Sequence, residues 1–159
     1  MKYRIISVGK IREPFYLEGI NEYLKRLGPY TNIELLDGLE EKISPRASEK
    51  EIQKFLKKEG DKILNLLGKD EIVVVLDIKG MQLTSEGLAE QITVWNTSGK
   101  SRINLIIGDA YGLCDEVKKR ADYKISFSHM TFPHQMAVLI LTEQIYRGFK
   151  ILKGEPYHH

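Results

Sequence analysis

The hydrophobic positions of the chain follow two alternating patterns. Short runs rich in β-branched residues predict strands, and longer segments with apolar residues three or four apart predict amphipathic helices. Because the two patterns alternate from one end to the other, the predicted fold class is α/β with a mainly parallel sheet flanked by helices. Strands are predicted at residues 3–8, 33–36, 71–78, 103–107 and 125–127, and helices at 14–27, 48–67, 84–95, 113–121 and from 133 onward.

Local signals place several of these boundaries. Gly28-Pro29 ends the first helix, and a capping box at residues 48–51 starts the second. Residues 71–78 are almost continuously apolar, which predicts a strand buried on both faces before Lys79-Gly80 turns the chain. Since there is no internal repeat and no break in composition, we expect a single domain spanning residues 1–159.

Composition narrows the class of protein. With 42% hydrophobic and 29% charged residues, the chain is typical of a globular protein. A net charge of +2 neither requires nor excludes a nucleic-acid partner. The single cysteine, Cys114, excludes an intrachain disulfide and a multi-cysteine metal site, and we expect it to fill a small apolar space. None of the histidines at 129, 134, 158 and 159 has metal-ligand spacing, so no metal site is predicted.

The pattern also argues against a membrane protein. The chain begins without a signal-peptide pattern, and no apolar run reaches the roughly 20 residues that span a bilayer. We therefore expect a cytoplasmic protein without a membrane partner. The helix at 48–67 mixes lysines with acidic residues, which is typical of a solvated face rather than of an RNA-binding surface.

Three loops are candidates for ligand binding, because ligands of parallel sheets lie beyond the carboxyl ends of the strands. They are residues 76–80, 107–112 and 126–133. Glycines at 108 and 112 would let the backbone approach a ligand closely, although this loop matches neither the dinucleotide-binding nor the phosphate-loop pattern. A generic nucleotide-binding enzyme stays open as a hypothesis. So does a Ser–His–acid triad, although Ser126 and Ser128 lack a nucleophile elbow.

The last helix is the most unusual part of the pattern. Residues 136–141 are apolar on every face, whereas a surface helix has a polar side, so we expect a partner to cover it, most simply a second copy of the chain. Glu143 and Arg147 are spaced to pair across one turn, in a dimer interface or in a functional site. For His134, a core or capping role and a ligand-contacting role both stay open. The end of the chain, Tyr157-His158-His159, is either frayed or a tail that stacks on a base and contacts phosphate.

Two segments of this region resemble the ribosomal RNA large subunit methyltransferase H family. They read Phe127-Ser128-His129-Met130-Thr131-Phe132-Pro133-His134-Gln135 and Glu143-Gln144-Ile145-Tyr146-Arg147-Gly148-Phe149-Lys150. The resemblance also includes residues 7–10, 23–27, 76–80, 107–108 and 154–158, so it covers essentially the whole chain. The segment at 126–134 is highly specific for this family, whereas the glycine loop is not.

The resemblance implies a SPOUT-type α/β knot, with a trefoil knot in the C-terminal half, and a homodimer. It also implies S-adenosylmethionine as the cofactor and methylation of N3 of a pseudouridine in 23S rRNA, within the large subunit or the assembled 70S ribosome; no DNA partner is expected. The cofactor-binding residues that it implies are Leu76, Gly108, Phe127, Ser128, His129, Met130, Thr131 and Phe132. The catalytic residues that it implies, which would face the RNA or the reacting base, are His134, Arg147, Tyr157 and His158.

Three positions depart from the family pattern. Asp109 follows Gly108 where relatives usually have a second glycine, Val138 stands where an arginine is common, and His159 ends the chain where lysine or arginine is frequent. The Asp109 carboxylate is expected either to accept hydrogen bonds from the cofactor's ammonium or ribose or to point to solvent. Asp109 and Val138 also motivate an alternative function, a non-enzymatic ribosome- or RNA-associated dimer that retains the fold.

Overall fold

All 159 residues are described by the computed structural model. The strands are β1 (Lys2–Ser7), β2 (Asn32–Leu36), β3 (Glu71–Gln82), β4 (Arg102–Ile107) and β5 (Tyr123–Ser126). The helices are α1 (Pro14–Leu27), α2 (Glu49–Leu66), α3 (Ser85–Asn96), α4 (Asp115–Arg120) and α5 (His134–Lys153). Each predicted strand and helix is confirmed, although several of their ends shift.

The five strands form one parallel sheet in the order β2-β1-β4-β3-β5. Helices α1, α3 and α5 pack on one face around an apolar core that includes Ile20, Trp95 and Leu141, and α2 and α4 cover the other face around Ile63 and Val117. The predicted parallel sheet with flanking helices is thus confirmed. Because the strands are parallel, the segments that follow β3, β4 and β5 all leave the sheet at the same edge.

Polar caps form at the helix starts that the sequence predicts. The Ser48 hydroxyl accepts a hydrogen bond from the Glu51 N–H at 3.2 Å at the start of α2. Thr84 Oγ1 accepts a hydrogen bond from the Gly87 N–H at 2.9 Å at the start of α3. Each cap satisfies a backbone donor that the first helical turn leaves unpaired. Cys114 precedes α4 and its half-buried thiol faces α2, in agreement with a packing role.

Strand β3 is longer than predicted, and the predicted turn at Lys79-Gly80 was wrong because it lies within the strand instead of after it. The pairing with β5 skips residues 77–80, so that Leu76 and Met81 both lie opposite Ile125. The skipped residues form a bulge at the carboxyl end of the sheet. A Cβ atom at Gly80 would lie 2.7–2.8 Å from backbone atoms of β5, so only glycine allows the bulge to fold back this closely.

Helix α5 is covered in part by its own chain: within residues 136–141 only Val138 and Leu141 are buried, so cover of the other four by a partner stays a prediction. It packs between α1 and α3 of the same chain, where Val138, Leu141, Ile145 and Phe149 are at most 5% exposed. The sequence pattern could not distinguish a helix covered by its own neighbours from one covered by a second copy. A smaller apolar strip of α5, near Leu139, stays partly exposed.

Candidate functional site

A cavity of about 450 Å³ lies at the carboxyl ends of the strands, where the three predicted loops converge. This volume is typical of sites for small molecules and cofactors. The ends of β3, β4 and β5 form an apolar floor, and aromatic side chains add a wall. The apolar lining residues of these parts are Val75, Leu76, Ile107, Ile125, Phe127 and Phe132.

The glycine loop after β4 is folded tightly on itself. A Cβ atom at Gly108 would lie 2.9 Å from the backbone C and O atoms of Gly112, so glycine is required for the two to approach. Gly112 has a φ of 77°, in the left-handed region that favours glycine, and its N–H donates to the Asp109 carbonyl at 2.8 Å. The two glycines therefore let the loop fold on itself at the cavity wall, whereas the close approach of this backbone to a ligand stays a prediction.

Most of the predicted cofactor-binding residues meet at this cavity. The residues in its lining are Leu76, Gly108, Phe127, Ser128, Met130, Thr131 and Phe132. His129 is exposed and does not line the cavity.

The loop after β5 is held by its own serines. Ser126 Oγ donates to the Ser128 carbonyl at 2.9 Å, and Ser128 Oγ accepts from the Met130 N–H at 3.0 Å. Both hydroxyls thus shape the loop, and neither is hydrogen-bonded to a histidine as a catalytic triad requires.

His134 lies in the cavity lining, apart from the other predicted catalytic residues. Its Nε2 is 3.1 Å from the Lys10 carbonyl oxygen and its Nδ1 is 3.3 Å from Asp109 Oδ1. Both neighbours are acceptors, so the two contacts are hydrogen bonds together only when both ring nitrogens carry a proton. The ring also packs against Gly9, where a Cβ atom would clash with it. His134 therefore ties the segment after β1 to the glycine loop.

Arg147, Tyr157 and His158 form a cluster on α5 and the tail. Arg147 Nε donates to Glu143 Oε1 at 2.9 Å, which confirms the predicted pair within one chain. Arg147 Nη1 is 3.1 Å from His158 Nδ1, and the guanidinium lies 4.8 Å from the centre of the Tyr157 ring. The hydrogen bonds to Glu143 raise the pKa of Arg147, so the guanidinium keeps its positive charge.

Hydrogen bonds also dock the tail onto α3, so the end of the chain is not frayed through His158. His158 Nε2 is 2.6 Å from Glu86 Oε1. Ser85 Oγ donates to Gln144 Oε1 at 2.7 Å, and Gln144 Nε2 donates to Glu143 at 2.8 Å. Sequence reasoning missed the roles of Ser85 and Glu86, because the only signal at the start of α3 was a helix cap.

A second cavity of about 310 Å³ lies between this network and the first cavity. Ser85 and Gln144 line it on one side. Phe127 and Phe132 line both cavities, so the loop after β5 lies between them. A ligand in the first cavity and a ligand in the second cavity would therefore both contact this loop.

Charged residues to which the sequence analysis assigned no individual role also line the first cavity. They are Asp77, Lys79 and Lys118, in addition to Asp109. Asp77 Oδ1 accepts a hydrogen bond from the Lys79 N–H at 3.0 Å within the bulge of β3. Asp77 and Lys79 belong to the predicted loop at 76–80, whereas no local signal indicated Lys118, because it belongs to a short charged helix typical of a solvated surface.

Glu59 of α2 lies behind Asp109 and is only 2% exposed. Burial raises the pKa of Glu59 to about 7, and the charge of Asp109 acts in the same direction. A hydrogen bond of 3.1 Å from the Glu41 N–H opposes this shift. Glu59 is thus a buried acid that binds its proton more tightly in the folded chain.

We expect Glu59 to make the protein less stable as the pH rises. Its carboxyl pKa is 4.5 when unfolded and about 7 when folded, so its favourable contribution is full below pH 4.5 and is lost as the pH rises through 7. The free energy of unfolding of the wild type should therefore fall between pH 5 and pH 8, and Glu59→Gln should make this fall smaller by on the order of 1 kcal/mol. Urea unfolding at both pH values measures it, with the exposed Glu49→Gln as the control. The same pH dependence in wild type and Glu59→Gln would contradict the assignment.

The structure has neither a metal-binding cluster nor a membrane-spanning helix. No group of three or more His, Cys, Asp or Glu side chains is arranged to hold a metal ion. None of the five helices combines the length and hydropathy that a membrane span requires.

Comparison with known proteins gives one consistent result. The family model described as "Predicted SPOUT methyltransferase" matches residues 1–158. Proteins named "Ribosomal RNA large subunit methyltransferase H" are 68% identical in Syntrophomonas wolfei, 51% in Halothermothrix orenii and 45% in Enterococcus faecalis, each over 158 residues and 99% of both chains.

A solved structure supports the fold independently. It is that of a probable methylase family protein from Haemophilus influenzae Rd KW20, which is 13% identical. The TM-score is 0.53, and the alignment covers 99% of this chain and 70% of that one. With the family model matching almost every residue and the relatives covering the full length, this chain belongs to the SPOUT methyltransferase family.

Proposed function

We propose that this chain uses S-adenosylmethionine to methylate N3 of a pseudouridine in 23S rRNA, in the large subunit or the assembled 70S ribosome. The observation that carries the proposal is the cavity at the carboxyl ends of β3, β4 and β5, beside a second cavity whose Gln144 is hydrogen-bonded to Glu143, the partner of Arg147. The relatives' names, which specify large-subunit ribosomal RNA, support the choice of substrate. The proposal includes one domain over residues 1–159, a trefoil knot and action in the cytoplasm.

The lining of the cavity fits this cofactor. The apolar floor and the Phe127 and Phe132 rings suit a nucleoside, and backbone groups of the loop after β5 can hydrogen-bond an adenine edge. Leu76 and Gly108 complete the walls around it. When bound, S-adenosylmethionine supplies a methyl group activated by a sulfonium. The chain's own part is to hold this group in a fixed position and to exclude water from it.

The Arg147 cluster suits the RNA side of the reaction. The imide N3 of pseudouridine must lose a proton, and a permanently charged guanidinium stabilises the resulting anion. Tyr157 offers an aromatic face for stacking on a base, and His158 offers a second polar contact beside Arg147. In the free chain Glu143 holds Arg147 in place, so the guanidinium is oriented before RNA arrives.

Calorimetry followed by a transfer assay tests the proposal. We expect S-adenosylmethionine to bind wild-type protein, and the protein to add one methyl group to a pseudouridine of 23S rRNA in ribosomes that lack it, detected by mass spectrometry. Absence of binding at millimolar cofactor would overturn the proposal.

Binding of ribosomes without methyl transfer would favour the non-enzymatic alternative. One observation bears on that alternative: Val138 is fully buried, so this position makes no RNA contact.

We also propose that the chain forms a homodimer through α1 and α5. Phe15 of α1 is 63% exposed, and Gly19, one turn later on the same face, packs against the partly exposed Leu139 of α5. Exposed apolar side chains that cluster in this way typically mark a protein interface. A second copy of the chain is the simplest partner, since most oligomers are symmetric assemblies of identical chains.

Phe15→Asp should weaken this dimer by at least about 10-fold, because it places an unpaired charge in a desolvated interface. Sedimentation equilibrium measures the dissociation constant. Val94→Asp is the matched control, since Val94 is 50% exposed on α3, outside the proposed interface. A dimer that Phe15→Asp leaves as tight as wild type would exclude this face.

A further inference from the structure

We infer that Asp109 and Lys118 form a subsite for the amino-acid end of the methyl donor, with the carboxylate of Asp109 binding its ammonium and the ammonium of Lys118 binding its carboxylate. The inference rests on the proposed function. The subsite consists of two side chains to which the family resemblance gives no role. Of the roles left open for Asp109, it selects the hydrogen bond from the cofactor's ammonium.

The first support is the way polarity divides the cavity. Its floor, at the ends of β4 and β5 and at Val75 and Leu76 of β3, is apolar, whereas Asp109 and Lys118 belong to the segments that follow β4. Asp109 stands in the glycine loop and Lys118 in α4, the next element along the chain. A ligand with an aromatic nucleoside at one end and a zwitterion at the other has the same division of polarity.

The second support is that both side chains have unused capacity. Asp109 Oδ1 faces His134 Nδ1 at 3.3 Å, and its other carboxylate oxygen has no hydrogen bond in the chain. Lys118 is half-buried in the cavity lining, and its ammonium forms no ion pair, unlike Arg120 on the same helix. A carboxylate can accept from several donors at once, so Asp109 can keep its contact with His134 and bind an ammonium.

The third support is the surrounding charge. His134 orients the Asp109 carboxylate from one side, and Glu59 lies behind it, where a proton on the buried acid limits repulsion near neutral pH. The charged pair in the bulge of β3 is a weaker candidate. Asp77 already accepts a hydrogen bond from the Lys79 backbone, and the Lys79 side chain is exposed.

Two ligands that differ only at the amino-acid end test the subsite. S-adenosylhomocysteine carries the zwitterion, whereas 5′-methylthioadenosine has the same nucleoside and thioether without it. In calorimetry we expect Asp109→Asn and Lys118→Met each to weaken S-adenosylhomocysteine binding about 10-fold or more, as loss of a charge-assisted hydrogen bond does. Binding of 5′-methylthioadenosine should change less than about 2-fold, because neither variant touches the nucleoside.

The exposed Asp115→Asn and Lys119→Met on α4 are the matched controls, and both should bind the two ligands as wild type does. Variants that weaken both ligands equally would overturn the inference and assign Asp109 to the ribose. Variants that leave both affinities unchanged would also overturn it. Failure of the wild-type chain to bind either ligand would instead overturn the proposed function. The two variants lie in different elements, so misfolding of one leaves the other as a test.

Discussion

Arg147→Ala is expected to bind S-adenosylmethionine as tightly as wild type and to transfer methyl groups about 10²- to 10³-fold more slowly, the usual cost of losing one group that stabilises a developing anion. The position of Arg147 explains why the substitution should affect the transfer rate and not the cofactor affinity. Arg147 belongs to the cluster with Glu143, Tyr157 and His158 and does not line the cofactor cavity. Calorimetry measures the first property, and transfer of a labelled methyl group to ribosomes at saturating cofactor measures the second.

The controls for Arg147 separate charge from structure. Arg147→Lys keeps the positive charge but cannot make two parallel hydrogen bonds, so its rate should fall between those of wild type and Arg147→Ala. Glu143→Gln keeps the guanidinium and removes the carboxylate that orients it. Its transfer rate therefore measures how much the orientation of Arg147 contributes to catalysis. Wild-type rates in Arg147→Ala would remove this residue from the mechanism.

Gly108→Ala is the second change with a large expected effect, this time on cofactor affinity. The added methyl group would lie 2.9 Å from backbone atoms of Gly112 and 3.1 Å from Leu113 Cγ, and a backbone cannot yield as a flexible side chain does. Overpacking of this kind costs about 1–3 kcal/mol. If binding requires the native loop, the affinity for S-adenosylmethionine falls about 5- to 150-fold.

Calorimetry with thermal unfolding distinguishes a local effect from a global one. The loop lies at the edge of the sheet, so the melting temperature should fall by only a few degrees while affinity falls steeply. Tyr111→Phe is the matched control, because it changes an exposed residue of the same loop that does not line the cavity. Native affinity in a correctly folded Gly108→Ala would show that the closed loop is not needed for binding.

The sheet could be predicted because burial on both faces leaves an unbroken signal. Val73, Val74 and Val75 of β3 and Leu105 and Ile106 of β4 are completely buried, and no polar residue interrupts either group. The helix caps were equally readable, since a cap is made by residues three apart in the sequence. Both signals are local, so a single sequence contains them.

The parts of the site that were missed depend on contacts between distant segments. The bulge of β3 exists because Gly80 meets β5, which lies more than 40 residues later in the chain. His134 meets Asp109, and His158 meets Glu86, by the same kind of long-range contact. The tail also has too few residues to show any periodicity. The resemblance supplied most of the cavity lining, including the segment with Asp77 and Lys79, whereas only the fold brings Lys118 beside it.

The position of β5 along the chain has a consequence for translation. The cavity floor needs β5 beside β3, and a wall of the cavity is the loop that follows β5. A nascent chain that ends before Tyr123 therefore contains four of the five strands but has no complete cavity. Products of premature termination keep most of the sheet, yet we expect them neither to sequester the methyl donor nor to act on ribosomes. The cavity is thus completed only when the last part of the chain has been synthesised.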